Sequence, residues 1–295
     1  MNAQDILVKA SEALENLANK TIDVVDIKRP HSLEYALNLS KVVSKLSPLL
    51  GNMIEFNTID LLNTYDWQGL GIWERQDPGF PDATFNSSII TPNPGIEIKA
   101  WFPFATEITA RFKESQKIFI ENPNINVALI AWLPEHIIWG KPKIINTLVV
   151  SGESVARARD MHYHRPPSYI VLEPEDTSMR TGNLQQTNTN GYKFQEDKSD
   201  LQAAARLVRS WGEDKLIYNP DEMYQAIIKE LQSQFVYRLD TNYAKIDRIE
   251  HDEIEHFKTL VEYTEFQGKT IKEWRRLLSG KVNDDVLKNE LKEIL

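Results

Sequence analysis

The chain reads as an α/β protein on three observations. Asn126 to Leu133 (Asn-Val-Ala-Leu-Ile-Ala-Trp-Leu) is a continuous apolar run of strand length, the mark of a strand buried on both faces. Gly95-Ile96-Glu97-Ile98-Lys99-Ala100 alternates apolar and charged residues, the mark of a strand with one polar face. Both ends of the chain carry apolar residues at helical spacing.

Taken in order, residues 3–19 place Ile6, Leu7, Ala10, Ala13, Leu14 and Leu17 on one helical face. Ser32 opens a second helix, with Leu33, Ala36, Leu37 and Leu39 near one side. Leu46 to Leu62 is apolar enough for a buried helix, with Pro48 and Gly51 as interruptions. Residues 69–76, 82–90 and 95–102 read as strands. Ala105 to Ile120 reads as a helix, because Ile108, Phe112 and Phe119 recur against a basic side of Arg111, Lys113 and Lys117. Strands follow at 126–133 and 143–150, then a short basic helix over 154–161 and a strand over 169–172. Residues 173–195 read as a polar loop or hairpin. Helices are expected at 201–208, 221–235 and 252–263, with a charged helical pair over 270–295. This suggests an N-terminal helical segment 1–68, a core 69–215 and a C-terminal helical segment 216–295.

Two strings carry chemistry: Phe80-Pro81-Asp82, and Glu97-x-Lys99 fifteen residues on. On a strand Glu97 and Lys99 share a face, while Ile96, Ile98 and Ala100 point into a core. If Asp82 lies beside that strand, two carboxylates and one ammonium converge. Two acidic oxygen ligands suit a hard cation such as Mg²⁺, which binds through one or two carboxylates plus substrate phosphates. At these residues the chain resembles the PD-(D/E)xK nucleases, which include most type II restriction endonucleases. The resemblance covers roughly residues 45–135. It implies a restriction-endonuclease-like mixed sheet flanked by helices, here with helical N- and C-terminal additions. It also implies that Asp82 and Glu97 hold Mg²⁺ and that Lys99 sits beside the attacking water. Members add an acidic residue from a preceding helix, and Gly51-Asn52-Met53-Ile54-Glu55 offers Glu55. The implied activity is site-specific hydrolysis of double-stranded DNA by a homodimer. A MutH-like DNA-nicking repair endonuclease and a non-catalytic DNA-binding module of the same fold are the alternatives.

Arg180 to Tyr192 is rich in Asn, Gln, Thr and Gly. Asn and Gln amides pair bidentately with adenine, and Arg with guanine. Arg180, Asn183, Gln185, Gln186, Asn188 and Asn190 are therefore candidate base readers, in a loop similar to that of EcoRV-like enzymes. Arg111 and Lys113 are candidate phosphate contacts, as is the His- and Arg-containing stretch 157–165. His162 and His164 would share a face only on a strand. His251 and His256 lie five apart, which misses the i, i+4 spacing of a helical zinc pair.

Composition narrows the classes. The 295 residues are 41% hydrophobic and 26% charged, as in an ordinary globular protein. No run of 18 apolar residues is present, so no membrane span is expected. Met1-Asn2-Ala3-Gln4-Asp5 lacks the basic-then-apolar pattern of a signal peptide. The absence of cysteine excludes disulfides and thiolate metal sites and fits a cytoplasmic location. A net charge of −9 is unusual for a DNA-binding protein, whose footprint is basic, and asks for a local cationic cleft.

Contacts to bases and to phosphates respond differently to mutation. Alanine at Asn183, Gln185, Gln186, Asn188 or Asn190 is expected to cost about 1–3 kcal/mol per bidentate contact, on the cognate site alone. Alanine at Arg111 or Lys113 is expected to weaken all sequences alike and flatten the salt dependence. Competition between cognate and scrambled duplexes at two salt concentrations separates the two classes. An unchanged cognate-to-scrambled ratio in all five loop variants would remove the loop from recognition.

Overall fold

The computed structural model describes residues 1–295 apart from 77–78, 106, 109, 113–117, 119–120, 174–190, 196–200, 212–218, 220, 236 and 239–243. At 162–163, 171–173, 195, 201 and 237–238 only the backbone is described. The chain forms two compact units that interleave in sequence: residues 1–110, 120–153 and 251–295 make the first, and 111–119 and 154–250 the second.

The first unit is built on a mixed sheet of five strands in the order β1-β2-β3-β4-β5. These are β1 (Ile72–Arg75), β2 (Ala83–Asn86), β3 (Gly95–Trp101), β4 (Ile125–Pro134) and β5 (Pro142–Ser151). β3 and β4 run parallel over seven residues, from Gly95↔Ile125 to Trp101↔Ala131, and every other neighbouring pair is antiparallel. The apolar run expected to be a central buried strand is β4, with neighbours on both sides. The expected strands at 69–76 and 82–90 shorten to β1 and β2. Before β1, Gln68 and Gly69 take positive φ in a turn, and after β2 the Ser87 hydroxyl accepts from the N–H groups of Ile89 and Ile90.

Helices cover both faces of the sheet. α1 (Ala3–Glu15) starts at an Asn2 cap whose side chain accepts from Asp5 N, while Asp5 accepts from Asn2 N. Ser11 on α1 meets Asn126 on β4, at 3.2 Å. α2 (Leu33–Val42) starts at the predicted Ser32 cap. α3 (Ser47–Leu62) runs unbroken through Pro48 and Gly51, contrary to the expected interruptions. Pro48 sits in the first turn, where no N–H is required. Gly51 lies against the sheet, where an added Cβ would stand 3.5 Å from that of Ala100. α1 and α3 therefore cover the face bearing Ile96, Ile98 and Ala100. On the other face Trp101 meets Phe257, ring centroids 6.0 Å apart.

The helix expected over 105–120 does not begin as predicted. Residues 102–105 form a turn, Arg111 makes a β-bridge to Lys245, and Phe112 N–H donates to Ala244 O instead of to the carbonyl four residues back. Phe104, Ile108 and Phe112 keep the apolar spacing of a helix and are buried, but at Arg111 and Phe112 tertiary pairing has captured the backbone. The remainder of that helix falls largely outside the described residues.

In the second unit α4 (Gly152–His164) precedes β6 (Tyr169–Glu173), which pairs in parallel with β7 (Gly191–Gln195), and β7 pairs antiparallel with β8 (Tyr237–Arg238). The expected loop or hairpin over 173–195 is thus corrected at its end. Parallel strands cannot be joined as a hairpin, and Tyr192 and Phe194 alternate into a core with Trp211, Ile228 and Phe235. α5 (Leu201–Ser210) and α6 (Glu222–Ser233) belong to this unit. The chain returns to the first unit with α7 (Asp252–Tyr263), a two-residue ribbon of β9 (Glu265–Phe266) and β10 (Lys269–Thr270), and the helices α8 (Ile271–Leu278) and α9 (Asp284–Ile294). No helix among the described residues is long and apolar enough to cross a membrane.

Gly95 opens β3 under Pro81, where an added Cβ would lie 2.3 Å from Pro81 Cγ. Gly95→Ala is therefore expected to destabilise the protein by about 1–3 kcal/mol through overpacking. Urea unfolding followed by circular dichroism measures this, and an unchanged midpoint would show that the two strands can separate freely.

Candidate active site

The β2–β3 ladder is short. It pairs Ala83 with Ile96 and Thr84 with Gly95, and Phe85 N–H reaches Pro94 O. One step further Asp82 would face Glu97, but the strands part there. Gly95 N–H donates to Asn124 O, so alternate amides of β3 turn toward β4 and the rest, at Ile96, Ile98 and Ala100, turn toward β2. Past Ile96 those amides have no strand to pair with, and carboxylates take its place. Ile98 N–H donates to Asp82 Oδ2 at 2.7 Å, and Ala100 N–H donates to the Glu55 carboxylate of α3. Asp82 N–H in turn donates to Glu97 Oε2 at 3.1 Å.

Lys99 Nζ stands between the two motif acids, 3.0 Å from Asp82 Oδ2 and 2.6 Å from Glu97 Oε1. Glu97 and Lys99 project from the same face of β3, as their spacing requires. The structure thus brings together all four predicted catalytic residues: Glu55, Asp82, Glu97 and Lys99.

The electrostatics follow from three carboxyls and one lysine in a half-enclosed space. Glu97 keeps only 9% of its side chain exposed and is pushed up to about 7. Burial is the main cause, and the charge of Asp82 adds to it against the pull of Lys99. Glu55 is also raised to about 7, again first by burial, with Lys99 and Arg75 opposing. Burial alone would lower Lys99, but the charges and hydrogen bonds of Glu97 and Asp82 outweigh it and hold the ammonium above its usual range. Lys99 is therefore a fixed positive charge at neutral pH.

A cation between Asp82 and Glu97 is within reach of both, since one ammonium nitrogen already contacts both carboxylates. Among the described residues no three His, Asp or Glu side chains form a ready-made metal cage. A pair of carboxylates is the protein ligand set that Mg²⁺ uses when substrate phosphate and water complete its shell. The residues present fit that ion.

The other predicted positions divide. Arg111 is exposed and belongs to the second unit, where its backbone bridges to Lys245. Lys113, Arg180, Asn183, Gln185, Gln186, Asn188 and Asn190 lie outside the described residues. In the 157–165 stretch, Arg159 is buried with Nη1 3.0 Å from Asp160 Oδ1, and Arg165 pairs with Glu250. His162 and His164 lie on a helix, where i and i+2 do not share a face. His164 is buried, contacts Gln225 through Nε2, and is lowered to about 4 by burial. His251 stands at the N-terminal boundary of α7 without a side-chain capping bond to it, and His256 lies within that helix. Arg75 is the neighbour that the motif did not announce. It sits on β1 opposite Ala83, over the Phe56 ring, and its charge acts on Glu55. Its strand, Ile-Trp-Glu-Arg, carries no alternation that would have marked it.

No family model, no curated protein and no solved structure matches this chain.

The raised Glu55 makes apo stability depend on pH. Its folded value of about 7 exceeds the 4.5 of the free group, so folding favours the protonated form, and stability falls as pH rises between those values. Glu55→Gln keeps an acceptor for Ala100 N–H without the charge. It is expected to stabilise the metal-free protein at pH 8 by about 1–2 kcal/mol after allowance for solvent screening, and to have little effect at pH 5. Thermal melts in EDTA at both pH values measure this. A variant that is no more stable than wild type at pH 8 would refute the raised value.

Proposed function

We propose that this protein is a Mg²⁺-dependent endonuclease that hydrolyses double-stranded DNA at specific sites, as a type II restriction endonuclease does, and acts as a homodimer. The supporting observation is the convergence of Asp82, Glu97 and Lys99 where the β2–β3 ladder ends. A merely structural pair would need neither the third carboxyl of Glu55 nor the partial burial of so much like charge. The homodimer follows from the substrate, because a palindromic site mirrors two-fold symmetry.

Asp82 and Glu97 would hold the ion. What Mg²⁺ brings when bound there is neutralisation of phosphate charge and a more acidic bound water. Lys99 donates; it does not abstract. Its ammonium stays protonated at neutral pH, so it holds the attacking water by hydrogen bonding and balances the charge that grows on the phosphate oxygens. In-line attack by that water, whose proton passes to bulk solvent, then breaks the P–O bond to the 3′-oxygen, which leaves as a 3′-hydroxyl after taking a proton from solvent, and the phosphate stays on the 5′ side. The backbone amides of Ile98 and Ala100 keep the Asp82 and Glu55 carboxylates oriented. Glu55, beside Asp82, is a further acid within the same field.

Asp82→Ala or Glu97→Ala is expected to lower Mg²⁺-dependent cleavage of plasmid or phage DNA by a factor of about a thousand or more, roughly 4 kcal/mol of transition-state stabilisation. Lys99→Ala should bind DNA and cut it very slowly, and Ca²⁺ in place of Mg²⁺ should permit binding without cleavage. Gel electrophoresis of wild type and variants reads all three. Cleavage at the wild-type rate by Asp82→Ala would sink the assignment. Nicked circles alone would favour a MutH-like enzyme, and metal-independent DNA binding without cleavage a non-catalytic module.

A further inference from the structure

α3 carries the candidate acid Glu55 on one side and an apolar surface on the other. Gly51, Ile54 and Thr58 face the sheet, and Glu55 turns toward Ala100. On the outer side Leu49, Met53 and Phe56 follow one another at helical spacing, and Phe56 stays 51% exposed. This surface is hollow. Its residues line a cavity of about 370 Å³, near the lower end of the ~300–1,000 Å³ typical of small-molecule sites. The rim is polar: Asn52, Asn57 and Asp60 come from α3, and Arg75 from β1.

We infer that this cavity takes one unpaired nucleobase bearing an exocyclic amino group. The inference rests on the hydrolase proposal for its biological sense but not for its chemistry. Arg75 Cζ lies 4.6 Å from the Phe56 ring centroid, so an aromatic face and a guanidinium plane sit together at the wall. Those are the two side-chain surfaces on which splayed bases stack. Asn52 and Asn57 each supply a donor pair and an acceptor. The Asp60 carboxylate offers acceptors and no donor, which favours an amino group over the carbonyl of thymine. The volume suits a single ring system with water. Arg75 also ties the hollow to the hydrolytic cluster: it pairs with Ala83, the residue after Asp82, and Gln76 N–H donates to Asp82 O. A strand held at Asp82 and Glu97 would thus have a base-sized recess beside it.

Saturation-transfer NMR in EDTA, with dCMP, dTMP and inorganic phosphate as probes, tests this without any cleavage. Transfer to the cytosine ring protons of dCMP is expected, at least fivefold stronger than to the ring proton of dTMP, with no displacement by phosphate. Phe56→Ala and Asn57→Ala should each abolish it. Both side chains are on the outer surface of α3, and a thermal melt of each variant confirms folding. Equal transfer to dCMP and dTMP, a signal that survives both substitutions, or no signal in wild type would each overturn the inference. DNA cleavage in Mg²⁺ is scored on the same preparations. Cleavage without a base signal overturns the cavity and leaves the hydrolase standing; a base signal lost in both variants, without cleavage, supports the cavity and overturns the hydrolase.

Discussion

The candidate site depends on one backbone event, the parting of β2 from β3 after Ile96. A longer ladder would bury the Ile98 and Ala100 amides in ordinary strand pairing and leave Asp82 as a cross-strand neighbour of Glu97. The early end instead exposes two donors at the middle of a sheet, where leaving them unpaired would be costly. Asp82 and Glu55 satisfy them with carboxylates. The same hydrogen bonds that repair the sheet hold two acids, Asp82 and Glu55, near Glu97, and Lys99 is the countercharge that contacts Asp82 and Glu97.

Packing holds that opening in place. Pro81 has no N–H to offer β3 and presses on Gly95, where nothing larger than hydrogen fits. Gly51 lets α3 approach Ala100 closely enough for Glu55, one turn on, to reach the freed amide. β3 itself is pinned along its whole length by parallel pairing to β4, which is apolar apart from Asn126. The rigid side of the site is therefore β3–β4, and the adjustable side is the approach to β2 and the outer strand β1.

Much of this was legible from residue order. The period-two alternation around Glu97 and Lys99, the apolar run of β4 and the Ser32 cap are local signals, and each corresponds to an observed element. The proximity of Glu55 came from resemblance alone, since nothing local says that α3 would lie against Ala100. Where sequence reading failed, non-local pairing was responsible. Phe104, Ile108 and Phe112 have helical spacing, yet Phe112 gives its N–H to Ala244, far along the chain. Residues 173–195 read as a polar loop or hairpin, yet at their end Gly191 and Lys193 are buried beside Tyr192 and Phe194 in β7. Arg75 escaped notice because its importance lies in what stands across β1 and α3 from it.

The acidity of the chain looks different from inside the site. A net charge of −9 argues against DNA on electrostatic grounds, and the cluster of Glu55, Asp82 and Glu97 adds to the repulsion. Yet Glu55 and Glu97 are both raised to about 7, so the unliganded cluster relieves its own charge by holding protons near neutral pH. On the proposed reading, a divalent cation held by Asp82 and Glu97 would displace those protons and reverse the local field. Attraction for a phosphate would then depend on that cation instead of on a permanent basic patch. An acidic composition is thus compatible with the proposed reading through one cluster of four side chains, three of them acids and the fourth Lys99.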